Sequence, residues 1–243
     1  MSGHSHWAGI KHKKGLEDAK RAKIFSKMSR LISVTAREKG GDPETNAELK
    51  MAIERAKSFN MPQENIERAI KRGSGELGEE KLESFLLEGF GPGKIAVLIE
   101  GVTDNKNRTI AEIRHLFENF GGKLASGGVL WMFERKGIIT IAEHQEYKDK
   151  KDDLELLVIE AGAEDIEWNE NEVLEVYTKA EDLNQVKKNL EEKGIKIENI
   201  NLGFKAKEEI RIEDKETKDK IEKLFESLDE RDDVQEIYSN LAV

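Results

Sequence analysis

With 243 residues, 37 % of them charged and only 6 % aromatic, the chain suits small, highly solvated units better than one deep core. The absence of cysteine excludes disulfides, iron–sulfur clusters and thiolate zinc sites, and it fits a cytoplasmic address. The net charge of −10 conceals a polarity: residues 1–74 hold 16 Lys and Arg against 9 Asp and Glu, and residues 75–243 hold 24 against 41. Residues 1–37 alone carry nine against two, and such segregation marks either a polyanion contact or a solvated basic helix. The apolar run at 95–99 is far too short for a membrane span. No apolar stretch follows the N-terminal basic residues as a secretory signal requires, and the opening histidines and glycines do not suit a mitochondrial presequence.

In chain order, 17–39 predicts a helix, because Phe25, Met28, Ile32 and Ala36 recur at three- and four-residue spacing. Gly40-Gly41-Asp42-Pro43 ends it. A second helical stripe runs through Leu49, Ala52, Ile53 and Ala56 and stops near Asn60. Pro62 opens a third with Ile66, Ala69 and Ile70, closed by Gly73. Helices this short are marginal alone, so their stability must come from packing into a bundle.

Residues 73–80 (GSGELGEE) read as a linker. Beyond it, 94–100 predicts a strand, 107–119 a helix and 129–135 a strand. Near the C-terminus 209–212, 216–227 and 234–238 repeat that order. Between these sets lies strand 137–142, helix 153–161, strands 165–168 and 173–177, helix 183–193 and strand 196–201, a βαββαβ series of ferredoxin-like type. The expected fold class is α+β: an N-terminal three-helix domain, then a ferredoxin-like α/β domain with a second ferredoxin-like domain inserted in it. The expected boundaries are 1–75 for the basic helical domain with its flexible N-terminal arm, 76–136 plus 205–243 for the discontinuous domain, and 137–204 for the insert.

At about 100° per residue, with Lys20 at zero, Lys23, Lys27, Arg30 and Arg37 fall between roughly 260° and 340°. Phe25, Met28, Ile32 and Ala36 fall between roughly 80° and 160°. One face of the first helix is therefore expected to be cationic and the opposite face to pack inward. Ahead of it, His4, His6, Trp7, Lys11, His12, Lys13 and Lys14 combine cations with an aromatic plane, a set suited to a nucleic-acid backbone and an unstacked base. A second polar cluster, Thr103-Asp104-Asn105-Lys106-Asn107-Arg108-Thr109, sits where a strand ends and a helix begins. Free N–H groups there favour an anion over which Asn105, Lys106, Asn107 and Arg108 could close, and ordinary capping is the alternative.

Other motifs carry no chemistry. Gly73-Ser74-Gly75-Glu76-Leu77-Gly78 matches G-x-G-x-x-G, but a dinucleotide site needs it between a strand and a helix. Gly89-Phe90-Gly91-Pro92-Gly93-Lys94 lacks the spacing and the Ser/Thr of a P-loop and reads as a turn. No HExxH-like pair and no nucleophile with an identifiable base occurs, so no catalytic residue, metal or cofactor is expected.

Several segments together resemble the YebC/PmpR family: Gly3-His4-Ser5-His6-Trp7, Lys11-His12-Lys13-Lys14, Asn60-Met61-Pro62, Asn65-Ile66-Glu67-Arg68-Ala69-Ile70, Glu88-Gly89-Phe90-Gly91-Pro92-Gly93, the 103–109 cluster, Glu112-Ile113-Arg114-His115, Ala161-Gly162-Ala163-Glu164-Asp165 and Asp232-Asp233-Val234-Gln235. The resemblance covers essentially the whole chain. It implies a cytoplasmic, three-domain, non-enzymatic regulator of gene expression that binds promoter DNA. It also implies an alternative, a translation factor touching rRNA and tRNA on ribosomes stalled at proline-rich sequences, since relatives include a mitochondrial translational activator of cytochrome oxidase. Three departures stand out: His6 replaces a common Lys or Arg, Lys94 a frequent Gly, and Lys123 a frequent Asn. No membrane and no small-molecule substrate are expected, although a small-ligand sensor remains an alternative, because ferredoxin-like pairs can hold metabolites between them.

Overall fold

The computed structural model describes residues 18–78, 81–141, 150–168 and 173–242, with side chains from residue 21 onward. Three helices come first: α1 (Asp18–Lys39), α2 (Ala47–Ser58) and α3 (Gln63–Gly73). Their apolar faces meet in one cluster that includes Met28, Ile32, Leu49, Ile53, Met61 and Ile66. Each large side chain buried there contributes about 1.5–3 kcal/mol, which offsets the poor intrinsic stability of the isolated helices. Asn46 caps α2 by accepting from the Leu49 N–H at 3.0 Å, and its amide also donates to the Thr35 and Gly40 carbonyls at the end of α1. Gly73 ends α3 and does not begin a linker. A Cβ there would lie 2.2 Å from the Ser33 carbonyl oxygen, so glycine is what lets α3 touch α1.

The remaining elements are β1 (Glu83–Phe90), β2 (Ala96–Thr103), α4 (Lys106–Asn119), β3 (Lys123–Ala125), β4 (Phe133–Ile141), α5 (Lys151–Glu160), β5 (Asp165–Trp168), β6 (Leu174–Lys179), α6 (Leu183–Glu192), β7 (Ile197–Ala206), α7 (Lys215–Asp229) and β8 (Val234–Ser239). They form two antiparallel sheets, sheet A in the order β3-β1-β2-β8 and sheet B in the order β5-β6-β4-β7. The fold class is α+β, as the sequence predicts. In sheet B each helix carries the chain over one intervening strand, the βαββαβ connection. Sheet A has the same spatial order, but the strand corresponding to β6 is β1, which comes first in the chain and joins β2 through a tight turn at Pro92–Lys94.

The sheets pack face to face. Ala96, Leu98 and Tyr238 of sheet A meet Ile138, Tyr177 and Phe204 of sheet B, with the Phe204 and Tyr238 rings edge-on at 5.4 Å. The outer face of sheet A, with Val97, Ile99 and Ile237, takes α4 and α7, and that of sheet B, with Ile139, Val176 and Ile200, takes α5 and α6. The helical unit lies beside this four-layered stack, α1 against β2 and β8 and α2 against β7.

Four sequence expectations change. The sequence pattern predicts no element where β1 lies, because Phe85-Leu86-Leu87 and Gly89 break the period of two. The strand expected at 129–135 begins only at Phe133 and runs without a break through Ile141. Before it, Leu130–Met132 form a 3-10 turn, because the Glu88 carboxylate takes the Val129 and Leu130 N–H groups at 2.5 and 2.8 Å that a strand neighbour would need. The strand expected at 209–212 is a single parallel bridge between Ile210 and Leu241. The expected domain boundaries at 136/137 and 204/205 therefore cut β4 and β7, which both belong to sheet B.

Candidate nucleic-acid interface

The N-terminal candidates His4, His6, Trp7, Lys11, His12, Lys13 and Lys14 lie outside the described residues, and Lys20 is described only as a backbone position within α1. The rest of the expected cationic face is described, and it is not a free surface. Lys27 is fully buried, and its ammonium donates to the Asp229 carbonyl at 2.7 Å and carboxylate at 3.0 Å. Burial lowers the Lys27 pKa, against the opposing pull of Asp229. Lys23 and Arg30 are half-buried. Arg37 is exposed, but its guanidinium donates to the Leu82 carbonyl at 2.6 Å, where the chain enters β1.

The physical reason is that α1 is packed on two sides. Val34 lies at about 320° on the same wheel, among the cations. It forms a small apolar cluster with Leu82 and Val102. The side expected to face solvent is therefore the junction with sheet A, where Lys27 and Arg37 serve as fasteners. Exposed cations of the helical unit lie elsewhere, at Arg21, Lys50, Lys57, Arg68 and Lys71.

Two further ion pairs fasten the unit. Lys187 on α6 reaches Glu54 on α2 at 2.8 Å. Arg55 on α2 pairs with Glu236 on β8, both at most 6 % exposed. Around that buried pair, the Tyr238 hydroxyl donates to Glu100 at 3.0 Å. Burial pushes the Glu100 carboxyl up, and the nearby Glu236 charge adds to the shift. The sequence reading missed Arg55, Glu100 and Glu236. The available signal was a lone charge inside an otherwise apolar period, Glu100 after the 95–99 run and Glu236 between Val234 and Ile237.

The 103–109 cluster is a capped helix start. Asn105 accepts from the Arg108 N–H at 3.1 Å, and Thr103 accepts from the Asn105 N–H at 3.0 Å. Arg108 pairs with Asp104 at 2.7 Å, so its guanidinium does not close over the helix N-terminus. Asn105, Lys106 and Asn107 are exposed around it. The cluster is wired inward through Thr109, which donates to Asp233 at 2.6 Å. Burial opposes ionisation of Asp233, but Arg231 and Thr109 together outweigh it and hold the carboxyl below its usual range. Arg231 also pairs with Glu112, tying the turn between α7 and β8 to α4. Among the described residues no group of His, Cys, Asp and Glu is arranged to hold a metal ion, and no helix is long and apolar enough to cross a membrane.

Residues 5–76 match the model of the TACO1/YebC protein N-terminal domain, and residues 82–241 match that of the TACO1/YebC second and third domain. The chain belongs to the TACO1/YebC family. Among similar curated proteins, one from Halothermothrix orenii named "Probable transcriptional regulatory protein" is 50 % identical over 100 % of this chain and 96 % of its own length. A relative of the same name from Thermotoga maritima is 49 % identical over 99 % of this chain and 93 % of its own. The crystal structure of a conserved hypothetical protein, Aq1575, from Aquifex aeolicus superposes with a TM-score of 0.88 at 47 % identity, covering 98 % of this chain and 97 % of that one. The YebC resemblance read from the sequence is thereby borne out at the level of family and fold.

Proposed function

We propose that this chain is a non-enzymatic, cytoplasmic regulator of gene expression that binds nucleic acid through its N-terminal arm and helical unit, with DNA as the target. The observation that carries the reading is the charge polarity: nine Lys and Arg against two acids in residues 1–37, on a chain of net charge −10. The names of the relatives, which describe transcriptional regulatory proteins, support the same role. The arm residues His4, His6, Trp7, Lys11, His12, Lys13 and Lys14, with Lys20 and Lys23 beside them, form the proposed contact. Lys27 does not belong to it, Arg30 and Arg37 are secondary, and Asn105 to Arg108 are a capped turn with no bound anion required.

Because α1 is packed against α2, α3 and sheet A, it is not free to lie in a major groove, which favours contact with the phosphate backbone. Such contact releases counterions and makes affinity fall steeply with salt. The test is a salt titration of binding to duplex DNA and to ribosomal RNA, for the native chain and for a variant with Lys11, Lys13, Lys14 and Lys20 all changed to Glu. A loss of at least tenfold at low salt and a shallower salt slope are expected. Unchanged binding of both nucleic acids by the variant would sink the proposal. Crosslinking in growing cells separates the targets, promoter DNA supporting the transcriptional reading and ribosomal RNA the translational one.

A further inference from the structure

The four helices that cover the outer faces of the sheets differ in what they show to solvent. Among the described residues, α4, α6 and α7 expose no large apolar side chain, as befits helices with one buried face. Helix α5 exposes two: Leu156 is 61 % and Ile159 is 54 % exposed. With Leu154 at zero and about 100° per residue, the buried Val158 falls at about 40°, whereas Ile159 and Leu156 fall at about 140° and 200°. The pair therefore sits on the ridge that faces away from sheet B, in line with Asp152 one turn earlier. Trp168, on the edge strand β5, extends the strip. It is half-buried, and its ring N–H donates to Glu155 at 2.6 Å, one turn before Ile159. A single exposed apolar residue needs no explanation, but a strip along one ridge marks an interaction surface.

Charge decides what would cover it. Residues 143–172 hold twelve Asp and Glu against three Lys, so nine of the seventeen excess acids of residues 75–243 fall within these thirty positions. Asp152 and Asp153 are exposed at the N-terminal end of the strip and make no ion pair among the described residues. Glu160, 67 % exposed, stands at the other end and pairs with Lys193 at 3.0 Å. Lys151 lies over the Trp168 ring at 4.7 Å. Such a surface repels nucleic acid and attracts cationic groups. The geometry points to α5 as a docking site for a basic amphipathic helix of a protein partner. The partner's apolar residues would lie along Leu156 and Ile159, as ridges pack into grooves between helices, and its lysines and arginines would face Asp152, Asp153 and Glu160. The acids would steer the encounter, and the apolar pair would hold the complex. No residue of this strip belongs to the proposed nucleic-acid contact, so the two readings stand or fall separately.

The test uses the full chain without nucleic acid and a labelled peptide of leucine and lysine in amphipathic helical order. A peptide of leucine and glutamate in the same order is its counterpart. Fluorescence anisotropy should show saturable one-to-one binding of the lysine peptide in the micromolar range, with the glutamate peptide about a hundredfold weaker. The lysine composition in an order that gives no apolar face should bind about tenfold less tightly. Leu156→Ser combined with Ile159→Ser should also weaken the lysine peptide about tenfold and leave the melting temperature unchanged, since both side chains are mostly exposed. Asp152→Asn combined with Asp153→Asn should slow association about threefold and flatten its dependence on salt. Absence of saturable binding, equal affinity for the glutamate peptide, or unchanged affinity in the double serine variant overturns the inference. A fall in that variant's melting temperature does so too, because it would show that the chain itself already covers the pair. The variant with Lys11, Lys13, Lys14 and Lys20 changed to Glu should bind the lysine peptide at least as well as the native chain, which separates this result from the fate of the nucleic-acid reading.

Discussion

Sheets A and B have the same spatial order of strands and are reached by different routes along the chain. Sheet B is drawn in one contiguous stretch, from Phe133 to Ala206, each helix crossing over one strand. Sheet A takes its first strands as a hairpin, gives way to the whole of sheet B, and is completed only by α7 and β8. The facing surfaces of both sheets carry a buried tyrosine bonded to a carboxylate, Tyr238 to Glu100 in sheet A and Tyr177 to Glu175 in sheet B. Similar layers therefore arise from different connectivity, and what differs is how each is fixed. Sheet A is held to the helical unit by buried charges, Arg55 to Glu236 and Lys27 to Asp229, whereas sheet B meets that unit through α2 against β7 and a more exposed pair, Lys187 to Glu54.

Glycine substitutions test that contrast most severely. A Cβ on Gly101 would lie 2.1 Å from the Asp233 carbonyl oxygen, whereas on Gly137 it would meet the side chains of Thr178 and Leu183 at 2.4 and 2.8 Å. Gly101→Ala should cost about 3 kcal/mol or more and Gly137→Ala less, because the Thr178 hydroxyl can turn away and the backbone-fixed Leu183 Cβ at 2.8 Å needs a smaller shift than the Asp233 carbonyl oxygen at 2.1 Å. Equal losses in urea denaturation would remove the distinction.

Glu175 separates the two tyrosine–carboxylate pairs by pH. Burial pushes its carboxyl up to about 8 from an ordinary value of 4.5, Tyr177 opposing and Glu167 adding. Between those values the unfolded chain ionises while the folded chain keeps its proton. The stability contributed by this group is therefore complete below about pH 4.5 and is lost as pH rises to about 8. Glu175→Gln should leave thermal stability nearly unchanged at pH 4.5 and raise it at pH 8.5, by on the order of 2 kcal/mol. A difference that does not grow with pH contradicts the assignment.

Lys27→Met probes the fastening of α1. Losing the pair takes the buried ammonium from the Asp229 carboxylate, which is still 16 % exposed, so a cost of about 2 kcal/mol is expected, below that of a fully enclosed pair. Nucleic-acid affinity should stay within about twofold, in contrast to the arm variant. A fall comparable to that variant's would return Lys27 to the contact surface.

The smallest effect lies in the β1–β2 turn, where Lys94 holds φ at +63°. Lys94→Gly should raise the midpoint of chemical denaturation by the equivalent of about 0.5–1 kcal/mol, since glycine adopts that conformation freely. A lower midpoint would mean that the lysine side chain compensates for its backbone.

Much of this architecture is legible from local pattern alone. The helices and strands of sheet B appear within a few residues of their positions, because each is a short periodic segment bounded by turn residues. Legibility fails where a long-range partner decides. Glu88 converts an expected strand into a turn from 41 residues away. Asp229, 202 residues along the chain, draws Lys27 into the interior. The helical wheel of α1 held a warning, Val34 among the cations, that a single-face reading passes over. The charge polarity of the arm is a property of composition and needs no structure, whereas Leu154, Leu156, Leu157, Val158 and Ile159 are all apolar and only the packing shows which of them face solvent.

The late arrival of β8 bears on how the protein is made. During translation, at about 5–20 residues per second, β2 emerges roughly 130 residues before the strand that pairs with its far edge. Sheet B can form in the meantime, but the growing chain carries an uncovered strand edge, a template for association with other nascent chains. A chain that stops short of β8 would leave that edge open and would strip Glu236 from Arg55. Quality control should therefore be most sensitive to the loss of β8, far along the chain from the proposed nucleic-acid contact.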